Sequence, residues 1–225
     1  MTGTIVNAAA VVVGSGLGIM LRRGIAFRYQ EIVMQALALS VGLIGLQMAL
    51  QTQNALIVIV SMALGSIAGE WLQIDHRLNQ VGEKLSQRIG NDNALFAKGF
   101  VASTLVYCVG AMAVVGSIQD GLTGDAGTLY AKSMIDGVGA VVFASSMGWG
   151  VMFSSVSIFL YQGSITLLAS LLSTVLYDDI IREMTSVGGV MIVGLSLTML
   201  EIKSIRVANL VPAILFAAVI ASIWH

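Results

Sequence analysis

Charge is scarce in this sequence. Asp, Glu, Lys and Arg make up 10% of its 225 residues, hydrophobic residues make up 57%, and the mean hydropathy is +0.91. A water-soluble domain carries about 25% charged residues, so the chain lacks the polar surface to coat a globule in water. The composition implies an integral membrane protein with lipid as its main partner. A net charge of -1 provides no basic patch and argues against nucleic acid as a partner. The lone cysteine, Cys108, excludes an intrachain disulfide and any Cys-rich metal site. The two histidines, His76 and His225, lie too far apart in sequence for a zinc motif, and no cofactor is expected. One proline against 25 glycines suits packed transmembrane helices, where glycine lets backbones approach closely. A β-barrel would need short alternating segments, whereas the apolar runs here are continuous.

Eight runs approach the roughly 20 residues that a helix needs to cross a bilayer: 3–21, 31–50, 55–71, 99–118, 133–152, 157–176, 184–200 and 207–224. The fold class is therefore all-α, a polytopic transmembrane bundle forming one membrane domain over 1–225. Met1-Thr2-Gly3 offers no basic segment ahead of the first run, which reads as a retained span. The fifth and sixth runs divide at Ser154, Ser155 and Ser157, with one long tilted span as the alternative. With the N-terminus outside, the inner loops hold Arg22, Arg23, Arg28, Arg77, Lys84, Arg88, Lys98, Lys203 and Arg206, and the outer loops hold only Lys132 and Arg182. This asymmetry fits eight spans with both termini on the periplasmic or extracellular side of the membrane. Segment 73–92 is too polar to span. Its apolar residues Ile74, Leu78, Val81, Leu85 and Ile89 fall at helical spacing, which predicts an amphipathic helix on the cytoplasmic surface, ending at Gly90-Asn91.

Weak internal matches occur in order. Gly3-Thr4-Ile5 resembles Gly163-Ser164-Ile165, Glu31 with Val41-Gly42-Leu43 resembles Glu183 with Val193-Gly194-Leu195, and Asn54 resembles Asn209. Spans one to three would then correspond to spans six to eight. An offset of five spans reverses orientation and so predicts an inverted-topology repeat, an arrangement that recurs in secondary transporters. Glycine or small-residue stripes at 14–18, 61–69 and 140–148 lie inside helices with no preceding strand. They read as packing faces rather than nucleotide loops, and their extent suggests a homo-oligomer, a dimer.

The stretch 116–137, GSIQDGLTGDAGTLYAKSMIDG, sets polar groups between two apolar runs. It lacks the alternating acidic ligands and distal Glu of a calcium loop. Gly124-Asp125 and Tyr177-Asp178 do not form the protected carboxylate pair that acid–base catalysis requires, so no catalytic residue and no enzyme is expected. Asp136 sits about one turn inside the fifth span. A carboxylate there faces a partner or a wet cavity, and Lys132 four residues earlier is the simple partner. Asn7, Gln119 and Asp120 also fall near the outer face, with Gln162, Asn209, Gln35 and Glu70 toward the inner side. The expected ion or solute pathway is Asp136, Asp120, Gln119, Asn7, Gln162 and Asn209. In this picture Asp120 and Asp125 are solvated at the rim, Asp136 turns inward to Gln119 or Asn7, and Gly121, Gly124 and Gly127 form a compact non-helical connection. Pro212 is expected to kink the last span and free the carbonyl of Ala208 beside Asn209.

The segments GTIVNAAAVVVGSGLG, CVGAMAVVGSIQDGLTGD, AKSMIDG, YQGSITLLA and IRVANLVPA, in this order, resemble the bacterial membrane family called domain of unknown function 554. The resemblance covers nearly the whole chain and implies a polytopic inner-membrane protein. It brings no activity, so it assigns no site residue. The residues themselves favour a transporter or channel for a small solute or ion over a non-transporting scaffold or sensor. Reporter fusions at position 90 and at the C-terminus are expected to report opposite sides of the membrane. Same-side signals would rule out eight spans.

Overall fold

In a computed structural model, the described residues are 1–22, 27–77, 80, 93–174 and 176–224. Among them the chain is helical throughout. In order come α1 (Thr2–Arg22), α2 (Phe27–Ala49), α3 (Ala55–Leu72), α4 (Asn93–Cys108), α5 (Ala111–Leu122), α6 (Gly127–Met147), α7 (Trp149–Leu167), a single turn at Ala169–Leu172, α8 (Asp178–Met199), a 3-10 turn at Val207–Leu210 and α9 (Pro212–Trp224). By length and composition five helices can cross a membrane: Thr2–Arg22, Glu31–Ala49, Ala55–Leu72, Trp149–Leu167 and Asp178–Met199. A sixth is added if α4 and α5, bent by 60°, form one broken span. Most of the predicted amphipathic segment 73–92 lies outside the described residues.

The chain divides into two compact units. The first comprises Met1–Met34 and Gly82–Val175, the second Gln35–Val81 and Leu176–His225.

In the first unit α1 is the central element. It runs parallel to α6, because Gly3 meets Ala126 and Leu129, Gly14 meets Gly137 and Ala140, and Gly18 meets Val141 and Ala144. It runs antiparallel to α7, because Thr4 meets Thr166, Asn7 meets Gln162 and Gly16 faces Met152. A Cβ at Gly14 or Gly18 would collide with the carbonyl oxygen of Gly137 or Val141, so backbone packs directly on backbone. Helices α4 and α7 meet the same way, Gly150 lying against Phe96 and Phe100, with the Phe96 and Phe153 rings 5.4 Å apart.

The second unit pairs α3 with α9 antiparallel. Ile57 shares a buried cluster with Ala221, Gly65 lies on Ala213, and Gly69 lies on Asn209. It also pairs α2 with α8 antiparallel. Ser196 donates to the Ala38 carbonyl at 2.6 Å, and Gly45 and Gly189 contact each other's helix. Buried Glu183 ties down the turn between α2 and α3, accepting from Thr52 Oγ1 at 2.5 Å and the Gln53 amide at 2.9 Å. Asn54 then caps α3 by accepting the Leu56 amide.

Three expectations change. The fifth and sixth runs do not divide at Ser154–Ser157. Ser154 and Ser155 donate to the carbonyls of Val151 and Met152 within α7, and the turn falls at Gly148, whose φ of 74° favours glycine. Two helices therefore occupy this stretch, at 127–147 and 149–167 rather than 133–152 and 157–176. Pro212 opens α9 instead of kinking a longer helix, consistent with proline at a first helical position, and the Ala208 carbonyl accepts the Val211 amide at 3.3 Å. The stripes at 14–18, 61–69 and 140–148 have intrachain partners at Gly14, Gly18, Gly65, Gly69, Ala140 and Ala144, which removes them as an argument for a dimer.

Replacing Gly14 by Ala is expected to cost about 1–3 kcal/mol through overpacking. Gly16→Ala, whose Cβ would only reach Met152 at 3.8 Å, should gain up to about 1 kcal/mol from helix propensity. Thermal unfolding in mild detergent reads both.

Candidate functional site

The polar residues of the first unit converge where α1, α6 and α7 meet. Thr4, Asn7, Val11 and Ser15 fall on one buried stripe of α1. Lys132, Ser133 and Asp136 lie on the buried face of α6, and Gln162 and Thr166 on that of α7. Lys132 Nζ stands 3.0 Å from Asp136 Oδ1 and 2.8 Å from Oδ2. Asn7 Nδ2 donates to Asp136 Oδ2 at 3.0 Å and to Gln162 Oε1 at 3.3 Å. The four side chains are all buried, Asn7 and Gln162 completely (0% exposed). Removing one partner of such a buried pair typically costs about 3–5 kcal/mol. Among the described residues, Asn7 Oδ1 and Gln162 Nε2 have no hydrogen-bond partner.

On one side of this cluster, Thr4 and Thr166 hydroxyls face each other at 3.4 Å. Beyond them Asp120 accepts the Gly3 amide at 3.2 Å and meets the Met1 ammonium at 2.9 Å. The break between α4 and α5 stands nearby. Gly110 takes φ 141° there, and Tyr107, three residues before it, lies beside Gly139 of α6. A broken helix exposes carbonyls that an intact one would pair. The Tyr107 ring packs edge-on against Phe143 at 6.0 Å, and its buried hydroxyl has no partner among the described residues.

Of the six predicted pathway residues, Asn7, Asp136 and Gln162 come together. Gln162 was expected toward the opposite face from Asn7. Because α7 begins at Trp149, eight residues before the predicted start, Gln162 lies deep in the helix at the level of Asn7. Asp120 is not a solvated rim residue. It is buried, because the first residues of α1 cover it. Gln119 does not turn to Asp136; its Oε1 accepts from Thr128 at 2.8 Å. Asp125 is exposed as expected and accepts the Gly127 amide at the start of α6. The non-helical connection is shorter than predicted. Gly121 belongs to α5 and packs on Thr166, while Gly124 supplies the positive φ. Lys132 and Arg182 belong to helices rather than loops; Arg182 pairs with Asp179 in the first turns of α8.

Asn209 belongs to the second unit. Its Nδ2 donates to Glu70 Oε2 at 2.8 Å, and its Oδ1 accepts the Asp75 amide at 2.7 Å. Glu70 also pairs with Arg206 at 2.6 Å. These groups line an open recess of about 360 Å³ together with Gln73 and His76. Sequence reasoning missed the Thr4–Thr166 contact and the clamp formed by Glu183. The three-residue spacing of Thr4 and Asn7, with Ser15 two turns on, signalled a polar stripe on α1; nothing local signalled the second, whose partners are 131 residues apart.

Two curated relatives match over nearly their full lengths. An "Uncharacterized membrane protein YdfK" of Bacillus subtilis (strain 168) is 31% identical over 100% of this chain and 97% of its own length. An "Uncharacterized protein YqgA" of Escherichia coli (strain K12) is 25% identical over 99% of this chain and 97% of its own length. No solved structure matches. Residues 2–222 match the family described as "Protein of unknown function (DUF554)", and the chain belongs to that family.

Proposed function

We infer that this protein is a bacterial inner-membrane transporter or channel for a small solute or ion, with Asp136, Asn7 and Gln162 on its pathway. The observation that carries the reading is the buried Lys132–Asp136 pair with two amides beside it. A charged residue within a span costs about 2.5–3.5 kcal/mol on insertion scales and typically marks a pathway. Ser and Thr hydrogen bonds would hold helices together at far lower cost. The break at Gly110 adds support, since transporters build sites at interrupted helices. Asp136 is buried, which fits an occluded state on this reading.

The antiparallel pairings of α1 with α7, α2 with α8 and α3 with α9 support the inverted repeat, because each pairs a first-half span with its proposed mate. Counting α4–α5 as one span and adding α6 and the 207–223 segment gives the eight predicted from sequence. The positive-inside asymmetry supports termini outside the cytoplasm, and a relative named as a membrane protein supports the location. Cryo-electron microscopy of the protein in nanodiscs checks this: the two triplets should superpose after a half-turn about an axis in the membrane plane.

A second reading, a scaffold or sensor, draws on the mutual neutralisation of Lys132 and Asp136. Asp136→Asn alone would strand a buried Lys132, so the discriminating variant is Lys132→Met with Asp136→Leu. Replacing a buried pair by apolar residues of similar volume is often neutral for stability or stabilising. The expected result is a folded protein whose flux, measured in proteoliposomes with ion-sensitive dyes and osmotic swelling, falls at least tenfold below the wild type. A scaffold would give no flux above empty vesicles in either form.

A further inference from the structure

The Asn7 cluster keeps hydrogen-bonding capacity in reserve, and that reserve has a definite chemistry. The inference rests on the transport reading and sharpens its substrate class. Ionised Asp136, paired with Lys132, can only accept. It therefore draws Asn7 Nδ2 toward itself. The same nitrogen draws Gln162 Oε1, which turns Gln162 Nε2 away. Flipping Asn7 would set its carbonyl against the carboxylate, and flipping Gln162 would set donor against donor. The orientation of both amides thus follows from Asp136. What remains is one carbonyl acceptor, Asn7 Oδ1, and one amide donor, Gln162 Nε2, both buried and, among the described residues, unpartnered. They come from two antiparallel helices of one packed unit. The neighbouring Thr166 hydroxyl spends its proton on the Gln162 backbone carbonyl at 2.9 Å, which leaves its oxygen, 3.4 Å from the Thr4 hydroxyl, to accept.

The site has no charge to offer. Lys132 cancels Asp136, and an ion entering a low-dielectric interior gains little from a compensated pair while losing its hydration. A neutral molecule with both a donor and an acceptor matches what is unspent. We propose that the passenger is a small neutral solute of the amide or polyol kind. Its acceptor binds Gln162 Nε2 and its donor binds Asn7 Oδ1. Asp136 and Lys132 act as positioning residues that fix the amides.

The test uses the full chain in proteoliposomes. Urea and glycerol entry are followed by osmotic reswelling, and sodium and proton entry by internal dyes. Wild-type vesicles are expected to admit urea or glycerol faster than protein-free vesicles, with no added sodium or proton entry. Which of the two probes enters separates amide from polyol recognition. Gln162→Leu deletes the amide, and Gln162→Glu keeps the acceptor toward Asn7 while deleting the donor. Each should lower the excess rate at least tenfold with unchanged elution in gel filtration. Sodium or proton flux without urea or glycerol flux overturns the neutral passenger and leaves transport standing. No flux of any probe overturns both. Undiminished urea or glycerol entry in a folded variant overturns the role of Gln162.

Discussion

A carboxylate inside a helical bundle has to be satisfied, and the first unit is arranged around that demand. Lys132, one turn before Asp136, cancels its charge but occupies only part of its accepting capacity. The further donor is Asn7, on a helix more than a hundred residues away in sequence. For Asn7 Nδ2 to come within 3.0 Å of the carboxylate, α1 must lie close against α6 along its length. Gly14 and Gly18 permit this by letting α1 rest on the carbonyls of Gly137 and Val141. The glycine stripe, the parallel course of α1 and α6 and the ion pair are one constraint seen at three levels.

The parts of this arrangement that sequence exposed were those governed by short-range rules. Long apolar runs gave helices, glycine spacing gave packing faces, and the i, i+4 relation gave the Lys132–Asp136 pair. Asp136 stood out because it is charged within an apolar segment, and Asn7 because it lies near the same end of its run. The placement of Gln162 failed for a physical reason. Serine clusters resemble a turn in sequence, but Ser154 and Ser155 satisfy themselves on carbonyls of their own helix and leave it unbroken. A single glycine at 148, able to adopt a positive φ, ends α6 instead. That shift of eight residues moves Gln162 across the expected membrane depth. Asp120 was misplaced because its partners belong to the start of the chain, a contact that no local pattern encodes.

The two units treat similar side chains differently, and hydrogen-bond accounting separates them. Asn209 spends both ends of its amide, one on Glu70 and one on the Asp75 backbone. Glu183 is likewise spent on Thr52 and the Gln53 amide. Such groups lock a loop to a helix and explain themselves structurally. Asn7 and Gln162 each use one end and leave the other without a partner among the described residues. A buried polar atom without a partner costs about 1–3 kcal/mol, and Leu at 162 would avoid that cost at similar volume.

The geometry of the cluster also explains why its two unspent groups differ in kind. Had the amides faced each other symmetrically, donor to acceptor on both sides, neither Asn7 Oδ1 nor Gln162 Nε2 would lack a partner. Here Asn7 Nδ2 donates with one N–H to Asp136 and with the other to Gln162 Oε1, and its carbonyl faces away from Gln162 Nε2. Only one amide–amide bond then forms, and the leftover groups must be one acceptor and one donor. Protonating Asp136 would change this: a carboxylic acid can donate to Asn7 Oδ1, and both amides could then reverse. The charge state of a single residue therefore sets the direction of the whole hydrogen-bond chain. On the transport reading, it also decides whether the site offers the passenger a distinct acceptor and donor.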